Sequence, residues 1–80
     1  MSSSVQHLSL TGLRCPLPVL QVKKALANMT ADMLLEITVD DPNAPDDLAA
    51  FCHQTGHRLL VSEANTKQQT HRIVIQKKPR

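Results

Sequence analysis

Cys15 is the side chain of this 80-residue sequence best placed to do chemistry. It stands in the run Gly12-Leu13-Arg14-Cys15-Pro16-Leu17-Pro18, where a pair of prolines opens an amphipathic segment. Proline is tolerated in the first turn of a helix, because the N–H it lacks has no intrahelical partner there. The spacing therefore predicts Cys15 at the N-cap. A helix N-terminus favours a thiolate over a thiol, and Arg14 adds a cation beside it. Pro16 and Pro18 withdraw two N–H groups that would have faced the sulfur. The expectation is a moderately activated cysteine, not a protease-like thiolate. The prolines also stiffen the turn and hold the sulfur at the head of a rigid element, and Gly12 marks the turn before it.

The other reactive side chains read more plainly. Cys52 shares a helical stripe with Leu48, Phe51 and Thr55, which is the pattern of core packing. His53 and His57 have the i, i+4 spacing of a helical ligand pair, but Gly56 ends the helix between them. With no third cysteine and no Cys-X-X-Cys motif, no metal site is expected. His7 and His71 fall on strands as surface residues. Lys77, Lys78 and Arg80 read as a solvated basic tail.

The elements that must position Cys15 follow from periodicity and punctuation. Residues 7–10 alternate and form a short strand, with Leu8 and Leu10 on one side. Residues 16–29 form a helix: at about 100° per residue, Val19, Val22, Leu26 and Met29 make one stripe, which Pro18 and Ala25 extend. Residues 33–39 form a strand with Leu35, Ile37 and Val39 on one face. Asp40-Asp41-Pro42-Asn43 is a loop with turn chemistry. A second helix spans 45–55, with Asn43 as its cap, Asp46 and Asp47 at the positive end of its dipole, and Gly56 at its exit. Strands at 58–63 and 72–76 close the chain. The polar ends, 1–6 and 77–80, are expected to fray. The order is β-α-β-α-β-β. Right-handed crossovers place both helices on one face of the sheet, giving a two-layer α/β sandwich in a single domain with an ordered core of about 7–76.

Composition narrows the function. Hydrophobic residues make up 41% and charged residues 20%, which suits a folded soluble domain rather than a disordered one. Phe51 is the one aromatic residue, so a base-stacking platform is excluded, and the two glycines exclude a Gly-rich phosphate loop. A net charge of +2 selects no polyanionic partner. No apolar run reaches the length of a membrane span, and the first residues have neither the basic start nor the apolar stretch of a signal peptide. The expected address is the cytoplasm, where thiols stay reduced.

Gly-Leu-Arg-Cys-Pro-Leu-Pro-Val at 12–19 resembles the CPxP signature of the TusA/SirA-like sulfur carriers. The likeness continues through Lys23-Lys24, Val39-Asp40-Asp41-Pro42, Phe51-Cys52, His57 and the last strands. It implies a βαβαββ sandwich with a mixed four-stranded sheet and two helices on one face. It also implies that Cys15 accepts sulfane sulfur as a persulfide from a donor such as a cysteine desulfurase and relays it to an acceptor protein. In the best-known branch the sulfur ends as 2-thiouridine in tRNA; others serve sulfur oxidation or cofactor sulfur supply. Leu17 stands where the best-known tRNA-branch members carry an acid, so the pathway stays open. The chemistry fits on its own terms. A carrier needs one exposed sulfur and no general base, since persulfide exchange resembles thiol–disulfide exchange.

The expectation is thus a sulfurtransferase-type carrier, monomeric when free, with no cofactor beyond the covalent persulfide sulfur. Gly12, Arg14, Pro16 and Pro18 support the motif. Leu17 and Leu20 lie off the core stripe within about one turn of the sulfur, with Lys23 and Lys24 on the outward side, and together they read as a partner-docking surface. Two other readings remain: a redox or regulatory thiol protein pairing Cys15 with Cys52 or a partner, and a small RNA-binding module. The missing aromatics and low charge make direct nucleic-acid binding the weaker one.

Overall fold

The computed structural model describes residues 5–79. The elements are β1 (Val5–Ser9), α1 (Leu17–Ala27), β2 (Leu34–Val39), α2 (Ala44–Thr55), β3 (Arg58–Asn65) and β4 (Thr70–Gln76). The order is the β-α-β-α-β-β that the sequence predicts. The four strands form one sheet in the order β1-β2-β4-β3. β1 runs parallel to β2, while β4 is antiparallel to both β2 and β3. The last strand therefore slots between β2 and β3, which explains its composition. Ile73, Val74 and Ile75 are all buried, as suits a strand flanked by a neighbour on each edge.

One face of this sheet carries the core. Leu35, Ile37 and Val39 of β2 and Ile73 and Ile75 of β4 meet Val22 and Leu26 of α1 and Leu48 and Cys52 of α2. Burial of these side chains is the main force holding both helices on the sheet. The opposite face is polar at one end, where Glu36 joins His7 (2.7 Å) and Arg72, and Arg72 reaches Glu63 (3.3 Å).

Boundaries and ends differ from expectation in instructive ways. β1 begins at Val5 and ends at Ser9, because its pairing with β2 runs from Val5 opposite Leu34 to Ser9 opposite Thr38. β3 and β4 extend towards each other and leave only residues 66–69 as the turn. The expected fraying at 77–79 is replaced by a strap. The Lys77 amide donates to Met33 O (2.8 Å) and the Lys78 amide to His57 Nδ1 (3.0 Å). The ammonium of Lys77 reaches Leu26 O (2.6 Å) and that of Lys78 reaches Thr55 O (2.9 Å). The two lysines cap the C-terminal ends of both helices, where cations offset the dipole. Met1–Ser4 and Arg80, also expected to fray, lie outside the described residues. Gly56 closes α2 with φ +90°, and its amide bonds Cys52 O, the left-handed exit that glycine adopts without a Cβ penalty.

Candidate functional site

The site is built where β1 and β2 end and both helices begin. Three connected segments converge there: the loop 10–16, the loop 40–43 and the first turn of α2. Leu10 is buried, and its amide bonds Thr38 O (2.7 Å), which ties the start of the first loop to the sheet. Gly12 has φ +87°, and a Cβ built there would meet nothing within 4 Å. Glycine is required there by the backbone conformation, not by lack of space.

Adjacent carboxylates at the end of β2 hold the cysteine loop. Asp40 Oδ1 accepts from the Gly12 amide (2.9 Å) and from the Arg14 guanidinium (2.8 Å). These bonds, the Gly12 amide foremost, hold the Asp40 carboxyl below its ordinary pKa. Asp41 is 3% exposed. Its Oδ2 accepts from the Cys15 amide (2.7 Å) and its Oδ1 from the Asn43 amide (3.0 Å). One buried carboxylate thus joins the backbone of the cysteine loop to the start of α2. Charge-assisted bonds of this kind are the strong ones. The Cys15–Pro16 peptide bond is cis.

This arrangement corrects two expectations about capping. Pro16, not Cys15, is the N-cap residue of α1, and no side chain caps that end. The Leu17 amide is satisfied by Arg14 O (2.9 Å). At α2 the expected Asn43 side-chain cap is absent. Asp41 serves instead, through Oδ1 on the Asn43 amide and its carbonyl on the Ala44 amide (3.0 Å).

The direction of the Cys15 pKa runs against the expectation of an activated thiol. Cys15 is exposed and unbridged, but its pKa is raised above the ordinary thiol value. The first cause is the Asp47 carboxylate, followed by desolvation and the negative charge of Asp41. Arg14 does not offset them, because its guanidinium is given to Asp40. Arg14 neighbours the sulfur in sequence, but its far end turns to Asp40.

The prolines divide in role. Pro16 is exposed, whereas Pro18 is fully buried in the core. Leu17 and Leu20 are 45% and 51% exposed, and Lys23 and Lys24 are exposed beyond them. An apolar spot flanked by cations therefore does lie on α1, running away from Cys15. Cys52 sits in the core at 3% exposure, and burial pushes its thiol up to about 11. His57 accepts from the Lys78 amide and stacks on Phe51, with ring centroids 5.7 Å apart. Asp40 and Asp41 also line a cleft of about 430 Å³ with Asn65, Gln69 and His71 from the end of the β3–β4 hairpin. Asp40 and Asp41 are the contributors to the site that sequence reasoning did not assign. The available signal was two adjacent acids at a strand end with no basic residue nearby in sequence to neutralise them.

Known proteins are similar to this chain over most of its length. The family described as Sulfurtransferase TusA matches residues 6–77. Two Neisseria meningitidis proteins, of serogroups A and B, both named as sulfur carrier proteins, are each 46% identical over 73 residues, covering 91% of this chain and 96% of theirs. The sulfur carrier protein TusA of Allochromatium vinosum is 40% identical over 63 residues, covering 79% of this chain and 83% of its own. Among solved structures, the SirA-like protein of Desulfitobacterium hafniense superposes with a TM-score of 0.80 at 21% identity, over 92% of this chain and 97% of that one, a likeness of fold.

Proposed function

The chain belongs to the sulfurtransferase TusA family, and on that footing we propose that it is a cytoplasmic sulfur carrier whose covalent site is Cys15. The observation that carries this reading is a solitary exposed thiol on a loop locked at both ends by Asp40 and Asp41, next to the exposed face of α1. The loop fixes the sulfur's position while leaving it open to two different partners in turn.

The transfer balances without any cofactor. On loading, Cys15 Sγ attacks the outer sulfur of a donor persulfide. A new S–S bond forms, the donor's S–S bond breaks, and its electron pair leaves on the donor thiolate, which takes up the proton that Cys15 gives up. On delivery an acceptor thiolate attacks the outer sulfur of the Cys15 persulfide, and Cys15 is the leaving group. A cysteine desulfurase fits the donor role, and a downstream relay protein the acceptor role, with tRNA 2-thiouridine synthesis as one destination. Both partners must reach one sulfur, so both use the surface of Leu17, Leu20, Lys23 and Lys24, and the free carrier is a monomer. Their matching faces are apolar at the centre with an acidic rim.

The test is the intact mass after incubation with a desulfurase and cysteine under non-reducing conditions. A carrier gains one sulfur atom that DTT removes. Loss of two hydrogens with no sulfur gained would establish a redox protein instead. No mass change, together with retention of RNA, would establish an RNA-binding module.

A further inference from the structure

The cysteine loop carries a second functional group besides its thiol. Arg14 directly precedes Cys15, and its side chain is 60% exposed, yet it does not hang free. Its Nη1 donates to Leu13 O (3.1 Å) and to Asp40 Oδ1 (2.8 Å). Asp40 is fixed in turn, because the same oxygen accepts from the Gly12 amide (2.9 Å). A guanidinium has five N–H donors in one plane, and Arg14 uses the pair on Nη1. Among the described residues, its Nε and Nη2 have no acceptor. Those two nitrogens form the side-on fork that matches the two oxygens of a carboxylate. The other described arginines differ. Arg72 gives Nε to Glu36 and Nη1 to Glu63, so one guanidinium in this molecule already serves two carboxylates. Arg58 pairs with no carboxylate among the described residues. Arg14 is held by one carboxylate and open to a second.

We propose that Arg14 is a partner-recognition residue: held in place by Asp40, it binds an Asp or Glu carboxylate on the protein that gives or takes the sulfur. This role rests on the carrier reading and deepens it, by naming the chemistry of one contact beside Cys15. The partner group follows from charge and place. Arg14 lies one residue before Cys15, and Leu17 two residues after it. A protein that reaches the sulfur meets the exposed Leu17 and Leu20 on α1 and the positive charge of Arg14, Lys23 and Lys24. Its complementary groups are acidic. Of these cations, Lys23 and Lys24 pair with no carboxylate among the described residues, whereas Arg14 is already anchored. An anchored guanidinium loses little side-chain freedom when it binds, so more of its contact energy appears as affinity. Arginines of this kind are frequent anchors of protein interfaces. Asp40 is then the positioning residue, and it acts through Arg14.

The test follows the rate of sulfur loading from a cysteine desulfurase and cysteine as the concentration of carrier is varied. The unsubstituted chain is compared with Arg14→Gln and Arg14→Lys, each checked for folding by circular dichroism. In Arg14→Gln the KM for the carrier should rise by about fivefold or more, the order of one interfacial charge pair, while kcat changes little. Arg14→Lys keeps a point charge without the fork and should recover only part of the loss. Salt supplies the readout that a change of loop shape would not move. The KM of the unsubstituted chain should climb more steeply with salt than that of Arg14→Gln, which lacks one charge contact. An unchanged KM in Arg14→Gln, full recovery in Arg14→Lys, or a fall in kcat with KM unchanged would overturn the proposal. A raised KM with the same salt slope as the unsubstituted chain would assign Arg14 to loop shape and overturn it as well. Failure of the carrier reading shows separately, as no sulfur gained by the unsubstituted chain, and removes the role of Arg14 with it. Loading of that chain with an equal KM in Arg14→Gln removes the role of Arg14 alone.

Discussion

At the scale of single residues, the site depends on Asp41 as much as on Cys15. Asp41 is buried and spends both carboxylate oxygens on backbone amides, those of Cys15 and Asn43. Asp41→Ala should lower stability by ~1–3 kcal/mol, since two amides lose a charged acceptor. It should also speed proteolysis within residues 10–16, measured by limited digestion and mass mapping. A variant as stable and as protease-resistant as the parent would show that the clamp holds nothing. The sequence made Cys15 legible because its neighbours in the chain are themselves the signal: a turn glycine, a cation and two prolines within seven residues. It did not make Asp40 or Asp41 legible. Their contacts with the cysteine loop span 26 or more positions and exist only once β2 has delivered its C-terminal end beside that of β1. For the same reason the thiol was expected to be activated. The helix end and Arg14 were visible in the chain, while the opposing carboxylates and the diversion of Arg14 to Asp40 were not.

At the scale of elements, α1 shows how two prolines in one motif do different work. Pro16 sets the N-cap and Pro18 fills the core. The periodicity already placed Pro18 on the buried stripe, so this division was readable in outline. The C-terminal strap was not, because a Lys-Lys-Pro-Arg ending has the composition of a solvated tail. It is ordered by what it caps: Lys77 and Lys78 reach carbonyls at the ends of both helices, and His57 Nδ1 receives the Lys78 amide. Burial, with the charges of Lys77 and Lys78, lowers the His57 pKa below its ordinary value. A group whose folded pKa is depressed stabilises the fold above its unfolded pKa, about 6.5 for histidine. That contribution is lost as pH falls through the folded value. Protonation on Nδ1 also removes the acceptor for the Lys78 amide. Urea unfolding of the parent should therefore show a fall in stability as pH drops below about 6.5. His57→Asn, which keeps an acceptor and cannot titrate, should lose that fall. Parallel pH curves for the two proteins would refute the latch.

At the scale of the whole molecule, a sheet covered on one face brings both helix N-termini and the ends of β1 and β2 to one end, and the exposed Cys15 thiol stands there. Fold class and element order were legible because most strands alternate and each helix has a single apolar stripe. Strand order was not, since nothing local says that β4 inserts between β2 and β3. With the frame placed, the exposed Leu17 and Leu20 have no internal partner and adjoin Cys15 along α1. Folded Leu17→Ser, Leu20→Ser and Lys23→Glu/Lys24→Glu variants should load sulfur from a desulfurase more slowly. The charge-reversed variant should differ most from the parent at low salt, where steering is strongest. Unchanged loading in all three would remove docking from this face. Everything else depends on which thiol carries the sulfur. Cys15 is exposed and Cys52 is buried in the core, so the most direct measurement is the intact mass of Cys15→Ser and Cys52→Ser after incubation with a desulfurase and cysteine. Folded Cys15→Ser should gain no sulfur, and Cys52→Ser, though less stable, should gain one atom that DTT removes. Sulfur that loads on Cys15→Ser and fails to load on Cys52→Ser would contradict the account.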